Sequence, residues 1–174
     1  MKAIFPLAAF ALIANTTTGA ESKRPSLPNN EVKTLAGKAW RIADQKGKVV
    51  VLDFWSLNCR PCLAMVPRTR RLNGDWQERK DIVLLGVPTD DNLIQIRRHV
   101  KRNRMNWSQL VGQKGSAMSA LAAPLGVKVM PTPNFWIIDP DGGIVASTAD
   151  AEKARKVAEA VARLLREKSN AHPN

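Results

Sequence analysis

Cysteine is nearly absent from this chain: 174 residues contain two, Cys59 and Cys62. A fold stapled by disulfides needs more cysteines, spread further apart, so this pair is no framework. Histidine is as scarce, with only His99 and His172. Zinc usually takes about four ligands, and no second cysteine pair exists to supply them. Acidic residues number 15 against 27 Lys and Arg, giving a formal charge of +12. Aromatic residues do not interleave the basic stretches as single-strand nucleic-acid binders require, so no nucleic-acid partner is expected. No internal repeat and no low-complexity segment is present. The apolar run near the start, Ala3 to Ala14, contains Pro6 and stops at Asn15. It falls short of the ~20 residues of a membrane span.

That run reads instead as a signal peptide over residues 1–20. Lys2 is its charged start, and Thr18-Gly19-Ala20 offers small residues before a cut. An uncleaved membrane anchor is the competing reading, disfavoured by length. No cysteine follows to carry a lipid. Export implies an oxidising compartment, most simply a bacterial periplasm. An apolar content of 44% suits one globular domain. The expected organisation is a flexible N-terminal arm over 21–34, a domain over 35–168 and a disordered tail over 169–174. The bases cluster at Arg68, Arg70 and Arg71, at Arg97 to Arg104, and along the last helix. Such runs are ordinarily solvated helix faces. A positive surface also draws acidic partners.

The pattern of elements is α/β. Val32 to Ile42 alternates weakly, as an edge hairpin does. Val49 to Trp55 is an almost continuous apolar run and predicts a central strand buried on both faces. A helix is expected from Arg60 to about Gln77, kinked at Pro67. A second buried strand follows over Asp81 to Val87. An amphipathic helix over Asn92 to Met105 turns Leu93, Ile96 and Val100 inward. A short strand is expected within 106–111 and an alanine-rich helix over Ser116 to Leu125. Asn134 to Asp139 and Ile144 to Ser147 form a hairpin around Pro140-Asp141-Gly142-Gly143. Ala151 to Lys168 is the last helix. These elements predict a mixed central sheet with helices on both faces.

Cys59-Arg60-Pro61-Cys62 sits where the first long strand gives way to a helix. The nucleophile in disulfide exchange is the thiolate, so a reactive site must depress one cysteine's pKa. A helix N-terminus carries roughly half a positive charge, and Arg60 adds a full one. Cys59 is therefore expected to be the exposed, attacking thiolate. Cys62, one turn in and more buried, is expected to resolve the mixed disulfide. Pro61 is compatible with a first helical turn. A metal site, an inert disulfide and a soft-metal chaperone using Cys59, Cys62 and Met65 are the alternatives; the preceding strand and the compartment favour redox chemistry.

The stretch Val51-Leu52-Asp53-Phe54-Trp55-Ser56-Leu57-Asn58-Cys59-Arg60-Pro61-Cys62 resembles the active-site segment of thioredoxins. With Gly47 to Val51, Pro67, Gly86-Val87 and Thr132 to Gly142 in register, the chain from about 35 to 168 is similar to the exported TlpA-like and ResA-like branch. That resemblance implies the thioredoxin fold and a thiol–disulfide oxidoreductase that needs no cofactor. It implies that Pro133 is a cis-proline facing the disulfide, and that the Thr132 backbone receives a substrate strand. Trp55, Arg60 and Pro61 complete the expected substrate contacts. Asp53 aligns with the buried acid of cytoplasmic thioredoxins. Burial raises its pKa and suits it to take the proton of Cys62.

Two positions depart from the branch. Asn58 stands where tryptophan usually precedes the first cysteine, and Met65 stands where glutamate often follows the second. The resemblance also implies disulfide-containing protein substrates and a membrane electron donor of the thiol–disulfide interchange type. The chain is expected to act as a monomer. Reduction of protein disulfides is the leading expectation. A disulfide oxidase or isomerase of the same fold, or a copper-binding chaperone, is the alternative.

Overall fold

Seven consecutive buried residues, Val49–Trp55, form the strand around which the chain is built. The structure is a computed structural model and describes residues 24–112, 116–148 and 153–171. The signal peptide expected over 1–20, the start of the arm and the end of the tail lie outside the described residues.

In chain order the elements are β1 (Val32–Thr34), β2 (Ala39–Trp40), β3 (Val49–Trp55), α1 (Arg60–Trp76), β4 (Ile82–Pro88), α2 (Leu93–Arg102), β5 (Ser108–Val111), α3 (Ala117–Ala122), β6 (Asn134–Ile138), β7 (Ile144–Thr148) and α4 (Lys153–Ala171). One sheet holds all seven strands in the order β2-β1-β5-β4-β3-β6-β7. β3, β4 and β5 run parallel; β6 runs antiparallel to β3, and β1 to β5. This is the mixed α/β sheet with covered faces that the pattern of elements predicts, and it is a thioredoxin fold.

The alternation of β3 feeds two cores. Val49, Val51 and Trp55 pack with Ile82, Leu84, Phe135 and Ile137 beneath α1, α2 and α4. Val50, Leu52 and Phe54 pack with Leu85, Val87, Leu110, Trp136 and Ile138 against α3. A strand buried on both sides must be apolar almost throughout, which is why the run over 49–55 reads so plainly.

Several elements differ from expectation. α2 stops at Arg102, three residues before Met105, because Arg104 takes a left-handed φ of 51° and Met105 N–H turns back to the Val100 carbonyl. Arg70 seals this end by donating to the carbonyls of Asn103 and Arg104, so one of the expected solvated bases is a helix cap. Leu93, expected inside, is exposed. The alanine-rich helix splits into α3 and a 3-10 turn over Ala123–Leu125. α4 runs on to Ala171, into the stretch expected to be a disordered tail.

The larger correction concerns the arm. From Arg24 onward it is docked. Arg24 pairs with Asp139 at 2.6 Å, Ile144 N–H donates to the Pro25 carbonyl, and Ser26 bridges Gly143. Leu27 is buried in the α3-side core. Two prolines suggested a tether, but they interrupt regular structure without preventing one leucine from finding the core. Asp139 also holds the β6–β7 turn, accepting from the N–H groups of Asp141 and Gly143 while Gly142 adopts φ 93°. If Leu27 anchors this segment, Leu27→Ala should lower unfolding free energy by about 2–5 kcal/mol in urea titrations. A loss below about 0.5 kcal/mol, as at an ordinary surface position, would restore the tether.

Candidate functional site

β3 delivers its last residue, Trp55, to a three-residue loop, and Cys59 then serves as the N-cap of α1. Its backbone is extended, at φ −86° and ψ 94°, so its side chain can turn back over the first helical turn. Cys62 N–H donates to Cys59 Sγ at 3.1 Å. Arg60 and Pro61 occupy the first turn and are exposed. The two cysteines are joined as a disulfide, S–S 2.01 Å.

The expected difference in exposure is not found. Cys59 is 7% exposed and Cys62 8%. What separates the sulfurs is hydrogen bonding. Cys59 Sγ occupies the position where a cap oxygen would satisfy a free backbone N–H, and that donor favours a thiolate there once the bond is reduced.

Two contacts hold the loop before Cys59. Leu57 N–H donates to the Asp90 carboxylate at 2.8 Å. Ser56 Oγ and Thr132 Oγ1 lie 3.4 Å apart. The second contact brings the 132–133 segment to the site, as the resemblance implies. The Thr132–Pro133 bond is cis, and Pro133 is buried at the entry to β6. Thr132 is part-exposed.

Asp53 lies in the middle of β3, 6% exposed, paired in register with Gly86 and Phe135. It shares its strand face with Val51 and Trp55, whose cluster includes both cysteines. Burial alone pushes its carboxyl up to about 7. A carboxyl poised there can hold or release a proton near neutrality.

Trp55, expected among the substrate contacts, is turned inward. It is 1% exposed. Its indole N–H donates to Gln109 Oε1 at 2.9 Å, and its ring stacks on His99 with centroids 4.9 Å apart. Burial and the neighbouring Arg102 push the His99 imidazole below its ordinary value, against the pull of Asp90. Sequence reasoning missed Asp90, His99 and Gln109 as neighbours of the site. The one available signal was Gly86, since glycine inside a strand often marks close approach by another group.

Residues 25–147 match the AhpC/TSA family. The chain is 30% identical over 120 residues to the thiol-disulfide oxidoreductase ResA of Bacillus anthracis, covering 68% of this chain and 64% of that protein. It is 26% identical over 118 residues to the thioredoxin-like protein YneN of Bacillus subtilis, covering 67% and 65%. The chain thus spans just under two thirds of the length of these curated relatives. Among solved structures, a thioredoxin-family thiol:disulfide interchange protein from Chlorobium tepidum superposes with a TM-score of 0.69 at 18% identity, covering 84% of this chain and 99% of its own. A secreted disulfide oxidoreductase of Mycobacterium tuberculosis superposes at 0.61 and 21% identity, covering 78% and 96%. These two likenesses concern the fold.

The burial of Asp53 has a measurable signature in stability. Its unfolded pKa is ~3.9, and its folded value is about 7. Below the unfolded value both states hold the proton, and wild type and Asp53→Asn should differ little with pH. As pH rises towards 7 the unfolded chain ionises first, and wild type progressively loses stability. Above that the advantage of Asp53→Asn should level off at a value larger by on the order of 4 kcal/mol. Denaturant titrations of the oxidised proteins across this range test it; a difference that does not vary with pH would show that burial does not hold the proton on Asp53.

Proposed function

The chain belongs to the AhpC/TSA family, and from that premise we propose that it is an exported thiol–disulfide oxidoreductase that reduces protein disulfides through Cys59 and Cys62. The observation that carries this reading is the Cys62 N–H donated to Cys59 Sγ at the head of α1. It gives one sulfur of the pair a stabilised anionic form, and exchange chemistry needs that asymmetry.

The steps follow from the placement. In the reduced protein the Cys59 thiolate attacks one sulfur of a substrate disulfide. A mixed disulfide forms, and the other substrate sulfur leaves as a thiolate. Cys62 then gives its proton to Asp53 through a water and attacks Cys59 Sγ. The second substrate thiolate departs, and Cys59–Cys62 is closed. The substrate has gained two electrons and the protein has lost them. A membrane dithiol donor returns the electrons. The Thr132 backbone, held beside Ser56, offers the substrate segment its strand-like contact. Arg60 and Pro61, exposed in the first turn, border the disulfide and meet the same segment. The basic surface hastens encounter with acidic clients and takes no part in the chemistry.

The reduction potential separates a reductase from an oxidase of the same fold. Equilibration with glutathione should place the Cys59–Cys62 couple below about −200 mV, among the reducing members. A value near −120 mV, as in strong oxidants, would reverse the proposed direction. Cys62→Ser should accumulate a mixed disulfide on Cys59 when offered a protein disulfide.

The role of Asp53 is tested by single-turnover kinetics. In wild type the decay of the mixed disulfide should quicken as pH rises through about 7. In Asp53→Asn it should slow by about 100-fold at neutral pH, while the rate of Cys59 alkylation stays nearly unchanged. Decay as fast as wild type would make Asp53 a structural residue.

A further inference from the structure

A single row of residues crosses the sheet beneath the cysteine pair. Phe135 of β6, Asp53 of β3, Gly86 of β4 and Gln109 of β5 are successive register partners. All four stand on the face that carries the cysteines, two residues along their strands from Ile137, Val51, Leu84 and Val111 of that cluster. Gly86 leaves a gap in the row, and Gln109 fills it. A Cβ built on Gly86 would meet Gln109 Oε1 at 1.9 Å, Cδ at 2.5 Å and Nε2 at 2.7 Å. The carboxamide therefore lies over β4, one strand spacing of ~4.8 Å from the strand that bears Asp53.

Its orientation follows from its partners. The Trp55 indole N–H can only donate, and it donates to Oε1 at 2.9 Å. The Trp107 carbonyl can only accept, and it accepts from Nε2 at 2.9 Å. Exchanging oxygen and nitrogen would break both bonds. Oxygen is thus the end that comes closest to Gly86. The clamped amide cannot swing an N–H round to solvate a carboxylate, and Oε1 keeps a second lone pair.

We propose that Gln109 is a positioning residue for Asp53, its fixed oxygen accepting a hydrogen bond, directly or through one water, from the carboxyl that has taken the Cys62 proton. This rests on the reading of Asp53 as proton acceptor and extends it to a residue that touches neither sulfur. Gln109 strengthens the base by stabilising its protonated product. Trp55, which no substrate reaches, acts as the clamp that keeps the oxygen in place. The other groups packed on this face bring little competing charge. β4 and β6 contribute glycine, proline and apolar side chains, and α4 contributes Val157, Val161 and Leu164. α1 contributes Cys59 and Cys62, which do not titrate as a disulfide, and α2 contributes His99, which stacks on Trp55.

The test is a carboxyl ¹³C NMR titration of the oxidised, aspartate-labelled protein, with the Asp53 resonance identified by its loss in Asp53→Asn. Gln109→Met keeps the length of the side chain and removes the oxygen, so the Asp53 midpoint should fall by about half a unit or more. Trp55→Phe removes the bond that fixes Oε1 while the Trp107 carbonyl still holds Nε2, so the midpoint should fall there too, by less than in Gln109→Met. In the double variant it should fall no further than in Gln109→Met, because Trp55 acts through Gln109. An unchanged or raised midpoint in Gln109→Met overturns the proposal; should that variant not fold, the same result in Trp55→Phe overturns it. The titration reads Asp53 without turnover. A fallen midpoint alongside unaltered mixed-disulfide decay in Asp53→Asn would therefore uphold Gln109 and remove only the proton-acceptor reading.

Discussion

β3 has water on neither side, and the rest of the site is arranged around that constraint. Its seven residues are all buried, flanked by β4 on one edge and β6 on the other. A strand placed so can lead to the surface only at its end. There the chain emerges as a short loop and at once enters α1, whose free N–H groups need an acceptor. Cys59 stands at that point and supplies one. The placement of the pair is thus a by-product of how a central strand has to end. The thioredoxin fold sets the location, and the choice of cysteine as cap sets the chemistry.

The same burial creates a cost further down. An acid in β3 is poorly solvated, and among the described residues no cation is paired with Asp53 to offset that. The fold relieves this by keeping the carboxyl protonated until near neutrality. Gly86 and Gln109 belong to that arrangement. Removing a side chain from β4 lets an uncharged amide reach across the sheet, so the acid has a polar neighbour without a second buried charge. A lysine in that space would lower the carboxyl's hold on its proton. A neutral, immobilised dipole leaves that hold high.

Much of this was legible in the residues. The run over 49–55, the turn at 140–143 and the placement of Cys59 at a helix start each follow from local chemistry that tertiary contacts do not override. The register of Thr132 and Pro133 came through resemblance. Three things did not come through. The exposure of Cys59 depends on what covers the loop, which no local pattern encodes. Trp55 reads as a site residue because it adjoins the motif, yet strand alternation turns it inward to Gln109. Gln109 itself is one polar residue in a short strand, and its meaning depends on a glycine 23 positions earlier that only strand pairing brings beside it.

The docked segment at Arg24–Leu27 fixes a direction as well as a few contacts. It meets the β6–β7 turn, and that turn also receives Gly47 N–H just before β3 begins. The cysteines lie at the other end of β3, roughly 20 Å away at the rise of an extended strand. Arg24 therefore lies at the pole opposite the two sulfurs. A domain held on the side of Arg24–Leu27 would stand with its disulfide outermost. Contacts made at the Arg24–Leu27 pole would leave the cysteine end of β3 uncovered.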